Sequence, residues 1–241
     1  MKKIYYITAV FATLFLVGCG DGIDLPGVNV ETDLNKIPLP DNNVNLEQVE
    51  LKPSTEPMLH EGLHTEEDFQ RIRDKKAAGE EPWVSAYQLL VESQFSQKTA
   101  DTYPTEWIKR GISGDENYMN AARGATIVYQ QALRWKIEQD DEYAAKAVEN
   151  LNKWVQTCVG VTGNTNLSLA AGLYGYEFAI AGELLRDYGG WDRADFAAFQ
   201  NWLLKVFYPA NDDFLKRHHD TNALHYWACL LYTSDAADER S

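Results

Sequence analysis

Residues 118–155 read YMNAARGATIVYQQALRWKIEQDDEYAAKAVENLNKWV, and two consecutive helices account for them. In the first, Ala121, Ala122, Ala125, Tyr129, Ala132, Leu133 and Trp135 recur at the three- and four-residue steps of helical faces. Its start falls near Asp115 or Tyr118. Asp141 opens the second, where Tyr143, Ala144, Ala147, Val148, Leu151, Trp154 and Val155 keep the same period. The alanines permit close helix packing, and the short polar link between the two segments predicts an antiparallel hairpin.

The same pattern extends in both directions. Upstream, Thr65-Glu66-Glu67-Asp68 is an N-terminal capping signal followed by Phe69 and Ile72, which predicts a helix to about Ala78. Pro82 then stands where a first-turn proline is tolerated, ahead of Trp83, Ala86, Tyr87 and Leu90. Downstream, Leu167 to Tyr188 and Ala194 to Phe207 supply two more helices. No run keeps the two-residue period of a strand, so an all-α domain of antiparallel hairpins is expected. An (α/α) toroid, a solenoid and a bundle all fit that pattern, and the absence of a fixed-period repeat weakens the solenoid.

The ends of the chain differ in character from this middle. Met1-Lys2-Lys3, an apolar run from Ile4 to Val17 and Leu16-Val17-Gly18-Cys19 form the pattern of a bacterial lipoprotein signal. The run is shorter than the roughly 20 residues of a spanning helix. Residues 1–18 are therefore expected to be a signal peptide, removed before a lipid-bearing Cys19, which places the protein in the periplasm or on the outer membrane. Residues 19–57 are rich in Asp, Asn, Pro and Glu and lack a sustained apolar period, so they read as a disordered acidic tether. At the other end, residues 229–241 match one reading frame of a transposase-based library adapter, so the folded segment is expected to cover 58–228.

The chain carries a formal net charge of -14, with 36 acidic and 22 basic residues. Trimming both ends leaves that balance unchanged. Strong acidity disfavours nucleic acid as a partner, because such binding relies on basic surface. An anionic substrate would have to meet a local basic pocket rather than a global field. With Cys19 lipidated and Cys229 in the adapter stretch, Cys158 stands alone, and its apolar surroundings predict a buried small hydrophobe rather than a nucleophile.

Candidate chemistry concentrates in Lys216-Arg217-His218-His219-Asp220-Thr221-Asn222-Ala223-Leu224-His225-Tyr226-Trp227-Ala228, which holds three of the 5 histidines. At this point the chain resembles the alginate lyase family of helical polysaccharide lyases, over roughly His60 to Ala228. The resemblance rests on Leu63-His64-Thr65-Glu66-Glu67-Asp68-Phe69, on Asn120-Ala121-Ala122-Arg123-Gly124 leading to Ala132-Leu133-Arg134-Trp135, on Asn166 with Leu169-Ala170-Ala171-Gly172-Leu173-Tyr174-Gly175-Tyr176, and on Asn222 with His225-Tyr226-Trp227-Ala228.

The resemblance implies an (α/α) toroid, here incomplete, and β-elimination on alginate or a similar acidic polysaccharide. It assigns His225 as base or carboxylate partner and Asn166 as the neutralising amide, with Asn222 the rival for that role. The family's arginine and tyrosine are expected beyond Ala228, which implies an inactive fragment. Arg123, Tyr174, Tyr176, Arg217, His218, Tyr226 and Trp227 are candidates for substrate binding.

Each has an ordinary alternative. Asn166 would serve equally as a helix cap before Leu167, and Arg123 or Arg134 as the partner of a surface acid. Tyr174 and Tyr176 suit core packing, while His218 with its neighbours suits a solvated loop after Pro209. Neither a cofactor fingerprint nor metal-ligand spacing is present, so no cofactor or metal is expected. The rival function is a non-catalytic glycan-binding helical lipoprotein, whose Trp and Tyr residues stack on sugars.

Overall fold

A computed structural model describes residues 63–217. The expected signal peptide, Cys19, the acidic tether, His218, Asn222, His225, Tyr226, Trp227 and the adapter-like tail lie outside the described residues. Within them the fold is all-α. Its helices are α1 (Glu66–Ala77), α2 (Trp83–Glu92), α3 (Tyr118–Glu138), α4 (Asp141–Thr157), α5 (Asn166–Leu185), α6 (Arg193–Val206) and α7 (Tyr208–Arg217).

Side-chain caps set three of the helix starts. Thr65 and Asp68 form a reciprocal capping box on α1, Asp140 accepts from the Glu142 amide to open α4, and Asp192 accepts from Ala194 to open α6. After Pro209 the chain is helical as far as Arg217, where a proline in the first turn forfeits no intrahelical hydrogen bond, while His218 and His219, for which a loop was the alternative, lie outside the described residues.

The helices pair as hairpins. In α3/α4 the Arg134 side chain meets Tyr143 and the Gln131 carboxamide meets Asn150, so the two helices are antiparallel. In α5/α6 Gly182 packs against Phe199, the Phe178 ring lies 5.2 Å from Trp202, and Gly175 packs against Phe207, an order that gives the same antiparallel sense. The hairpins then stack with first arm beside first arm. Tyr118 faces Tyr174, Thr126 faces Glu177 and Trp135 faces Tyr188, so α3 and α5 run parallel. Asn152 bonds Asp195 and the Trp202 indole donates to the Cys158 carbonyl at 2.9 Å, so α4 and α6 also run parallel. Helix α1 joins the same row, since His64 meets Tyr129 and Arg73 donates to the Lys136 carbonyl.

Two strands depart from the all-helical expectation. β1 (Trp107–Arg110) and β2 (Gly160–Gly163) pair in parallel, with Trp107 opposite Gly160 and Arg110 opposite Gly163. β1 leads into α3 through residues 111–117, and β2 leads into α5 through residues 164–165. The ladder therefore fixes the approach to two parallel helices.

The core lies between the two hairpins, where Trp154, Phe178, Leu151, Leu185, Leu203 and Phe207 are fully or almost fully buried. Cys158 is buried with them, and burial pushes its thiol up to about 11. Mass mapping after treatment of the native protein with iodoacetamide is therefore expected to find Cys158 unmodified, and modified only after denaturant is added. Rapid alkylation in the native state would contradict this placement.

Candidate active site

The end of the molecule where β1 and β2 feed α3 and α5 collects the exposed polar groups of interest. Asn117 closes the loop after β1: its side-chain oxygen accepts from the Lys109 amide at 2.7 Å, and its side-chain nitrogen donates to the Trp107 carbonyl at 2.9 Å. Glu116 accepts from the Gly111 amide, and Lys109 pairs with Asp115 at 2.7 Å. Two glycines are obligatory here. Gly111 has φ +81°, and a Cβ there would lie 1.9 Å from the Asn164 side-chain oxygen. Gly163 has φ +144°, and a Cβ there would lie 1.7 Å from the Arg110 carbonyl oxygen.

This packing aims Arg110 along the start of α5. Its backbone stands opposite Gly163, while its guanidinium donates to the Tyr174 hydroxyl at 3.2 Å and lies 4.6 Å from the centre of the Tyr118 ring. The two tyrosine rings stack at 6.4 Å with 7° between their planes. Tyr174 is 8 % exposed, and burial raises its hydroxyl above the ordinary tyrosine range, so it stays protonated and able to hold Arg110. Among the described residues Arg110 has no carboxylate partner.

The first turns of α3 and α5 contain no acidic residue, unlike α1, whose first turn has Glu66, Glu67 and Asp68. The positive ends of the α3 and α5 dipoles are thus not offset by acids of their own first turns.

The sequence-predicted residues are distributed as follows. Asn166 is exposed as the first residue of α5, and its carboxamide has no partner among the described residues. The capping acceptor is Asn164 instead, which receives the Asn166 amide at 2.9 Å, so the alternative reading of Asn166 as the cap gives way. Tyr174 follows on the same helix, about 12 Å along the axis at 1.5 Å per residue. Its buried ring packs on Tyr118. Tyr176 is partly buried against the core. Arg123 is exposed on α3 without a partner among the described residues, about 140° round the helix from Tyr118. Arg217 is the last residue of α7. That helix runs antiparallel to α5, passing Ser168 at Ala210, so it heads toward the end that carries Asn166.

Three further polar groups are held elsewhere. Arg134 is buried against Glu138, the Tyr143 ring and the Ser96 hydroxyl, which is the acid-partner reading of that residue. His64 lies 2.7 Å from the Tyr129 hydroxyl, and burial lowers its pKa, with Asp68 opposing, so the ring is neutral at pH 7. Glu177, on α5 one turn beyond Tyr174, meets only the Thr126 hydroxyl among the described residues, at 3.4 Å, and burial pushes its carboxyl up to about 7. Sequence reasoning passed over Arg110, Asn164 and Glu177. The signal for Arg110 was thin, a Lys-Arg-Gly step in a strongly acidic chain.

No curated protein and no solved structure matches the chain. A family model described as alginate lyase matches residues 72–237, from within α1, across every later described element and into the stretch that reads as adapter. On that match, which covers well over half of its length, the chain belongs to the alginate lyase family.

Proposed function

We propose that this protein is a polysaccharide lyase that cleaves alginate or a related polyuronate by β-elimination, working at the end of the fold that carries Asn164 and Asn166. The observation that carries the reading is the family match over residues 72–237. In this reading the parallel row α1, α3 and α5 forms part of an (α/α) toroid.

The chemistry sets the requirements. A base removes the proton on C5 of a uronate, the electron pair becomes the C4–C5 double bond, and the bond from C4 to the linking oxygen breaks. That oxygen takes up a proton. Negative charge develops on the carboxylate attached to C5, so donors aimed at its oxygens lower the barrier. A positioned base and acid each contribute about 10² to 10⁴ in rate. Asn166 suits the donor role because its carboxamide is exposed and unengaged, with Asn222 the rival. His225 is the base or carboxylate partner. Cys19 anchors the protein by lipid to a Gram-negative envelope, in the periplasm or at the outer membrane, and residues 19–57 tether the catalytic domain to it.

The test uses protein expressed from source DNA re-read through the Ala228 codon, incubated with alginate and a panel of other polyuronates. The expected result is the ultraviolet absorbance of an unsaturated uronate, abolished by His225→Ala. No new absorbance across the whole panel would falsify the lyase reading. Binding without a new double bond, unchanged by His225→Ala, would point to the glycan-binding lipoprotein instead.

A further inference from the structure

We propose that Arg110 is a carboxylate-binding residue for an acidic sugar, held in its working orientation by Tyr118 and Tyr174. This inference rests on the polyuronate reading above and deepens it. The nearby acids are already engaged, Asp115 by Lys109 and Glu116 by the Gly111 amide. Two other cations packed on a tyrosine ring, Lys98 and Arg134 at Tyr143, are neutralised, Lys98 by Asp140 and Glu142 and Arg134 by Glu138. Arg110 departs from this pattern. Neutral groups hold it instead, one hydroxyl and one aromatic face.

A guanidinium presents five N–H donors in a planar fork that matches a carboxylate through two parallel hydrogen bonds. Contact with Tyr174 uses one nitrogen, and the half-buried head keeps the rest of the fork for a ligand. The ring of Tyr118 orders the flat group without cancelling its charge, which reduces the freedom left to lose on binding. The ladder adds direction. Gly163 allows the Arg110 backbone to lie close against it and Gly111 lies against the Asn164 side chain, so the Arg110 side chain runs from the ladder beside the start of α5 to the Tyr174 hydroxyl. A sugar chain lying along α5 would meet the Asn166 amide and the Arg110 head at successive points. The predicted ligand is therefore a uronate in a chain, with one carboxylate on Arg110.

The experiment is titration of the same protein used in the lyase test with defined mannuronate and guluronate oligomers, and with the same oligomers after their carboxyl groups have been reduced to alcohols. Arg110→Met is expected to weaken binding of the acidic oligomers about tenfold or more, as loss of a charge-assisted bidentate contact implies. The reduced oligomers should bind the parent and variant proteins equally. Arg110→Lys keeps a charge but not the fork and should fall between them. Tyr174→Phe removes the hydroxyl that holds the guanidinium and should weaken only acidic ligands, by a few-fold.

Each alternative result is decisive. If the unsubstituted protein binds no uronate oligomer, both the polyuronate reading and this inference fall. If it binds them and both Arg110 variants bind equally well, this inference alone falls. If Arg110→Met weakens acidic and reduced oligomers alike, Arg110 is structural and the proposal fails. Should Arg110→Met not fold, Arg110→Lys and Tyr174→Phe give the same selective readout.

Discussion

Trp154→Ala is expected to lower the unfolding free energy by about 3–5 kcal/mol, the range for removing a fully buried large aromatic from a packed core. The indole is 0 % exposed and donates to the Thr102 hydroxyl at 2.5 Å. It packs over Gly124 of α3, where a Cβ would come within 2.3 Å of its ring nitrogen, and lies 5.4 Å from the Phe178 ring of α5. One side chain therefore joins α4, both parallel arms and the segment before β1. Small domains are stable by about 5–15 kcal/mol, so the loss removes a large share of the total. Urea unfolding of the purified protein measures it. Trp107→Ala, at a side chain 43 % exposed, serves as the control and should cost much less. Equal losses at the two positions would mean that Trp154 is not the joint between the hairpins.

Glu177→Gln should act in the opposite direction, and only above mildly acidic pH. The Glu177 carboxyl ionises near the ordinary 4.5 in the unfolded chain but near 7 in the fold, because burial penalises the charged form. Between those values the folded state binds the proton that the unfolded state has released. Stability therefore falls as pH rises through this window, by about 3 kcal/mol once the folded-state pKa is passed. An amide at this position keeps an acceptor for Thr126 and carries no charge to desolvate. Urea unfolding from about pH 4.5 to 8 should give similar stabilities at the acid end and an increasingly more stable variant toward the alkaline end, in line with the raised carboxyl pKa. Parallel pH curves for the two proteins would remove Glu177 as the source of the dependence.

Much of the helical framework was legible in the residues. The capping box at Thr65, the opening of α4 at Asp141 and the apolar periods of α3 and α5 are local signals, and the structure places elements within a few residues of each. The β ladder was not legible. Its strands have four residues each, Trp-Ile-Lys-Arg and Gly-Val-Thr-Gly, too short and irregular to show a period, and each acquires its meaning from a partner on the far side of a helical hairpin.

The site shows the same division. Asn166 could be picked out by resemblance, yet its availability depends on Asn164 taking the capping role, a matter of side-chain geometry. Arg110 takes its meaning from the Tyr118 ring and the Tyr174 hydroxyl that hold its guanidinium, the latter from 64 positions away. Charge counting pointed to a local basic feature in an acidic protein, and Arg110 is one such feature. Its address was not written in the composition.

The parallel ladder has a bearing on how the molecule assembles. Contacts inside each hairpin join residues near one another in sequence, so the chain gives up little entropy in making them. Pairing Arg110 with Gly163 closes a loop that contains the whole of α3 and α4. With only four residues on each side, the ladder gains little by itself and depends on the hairpins to bring its strands together. The helical body can thus form ahead of the ladder, whereas the ladder has no independent footing. Arg110 stands on this ladder, so loosening of that joint would withdraw the guanidinium while most of the helical mass stays in place.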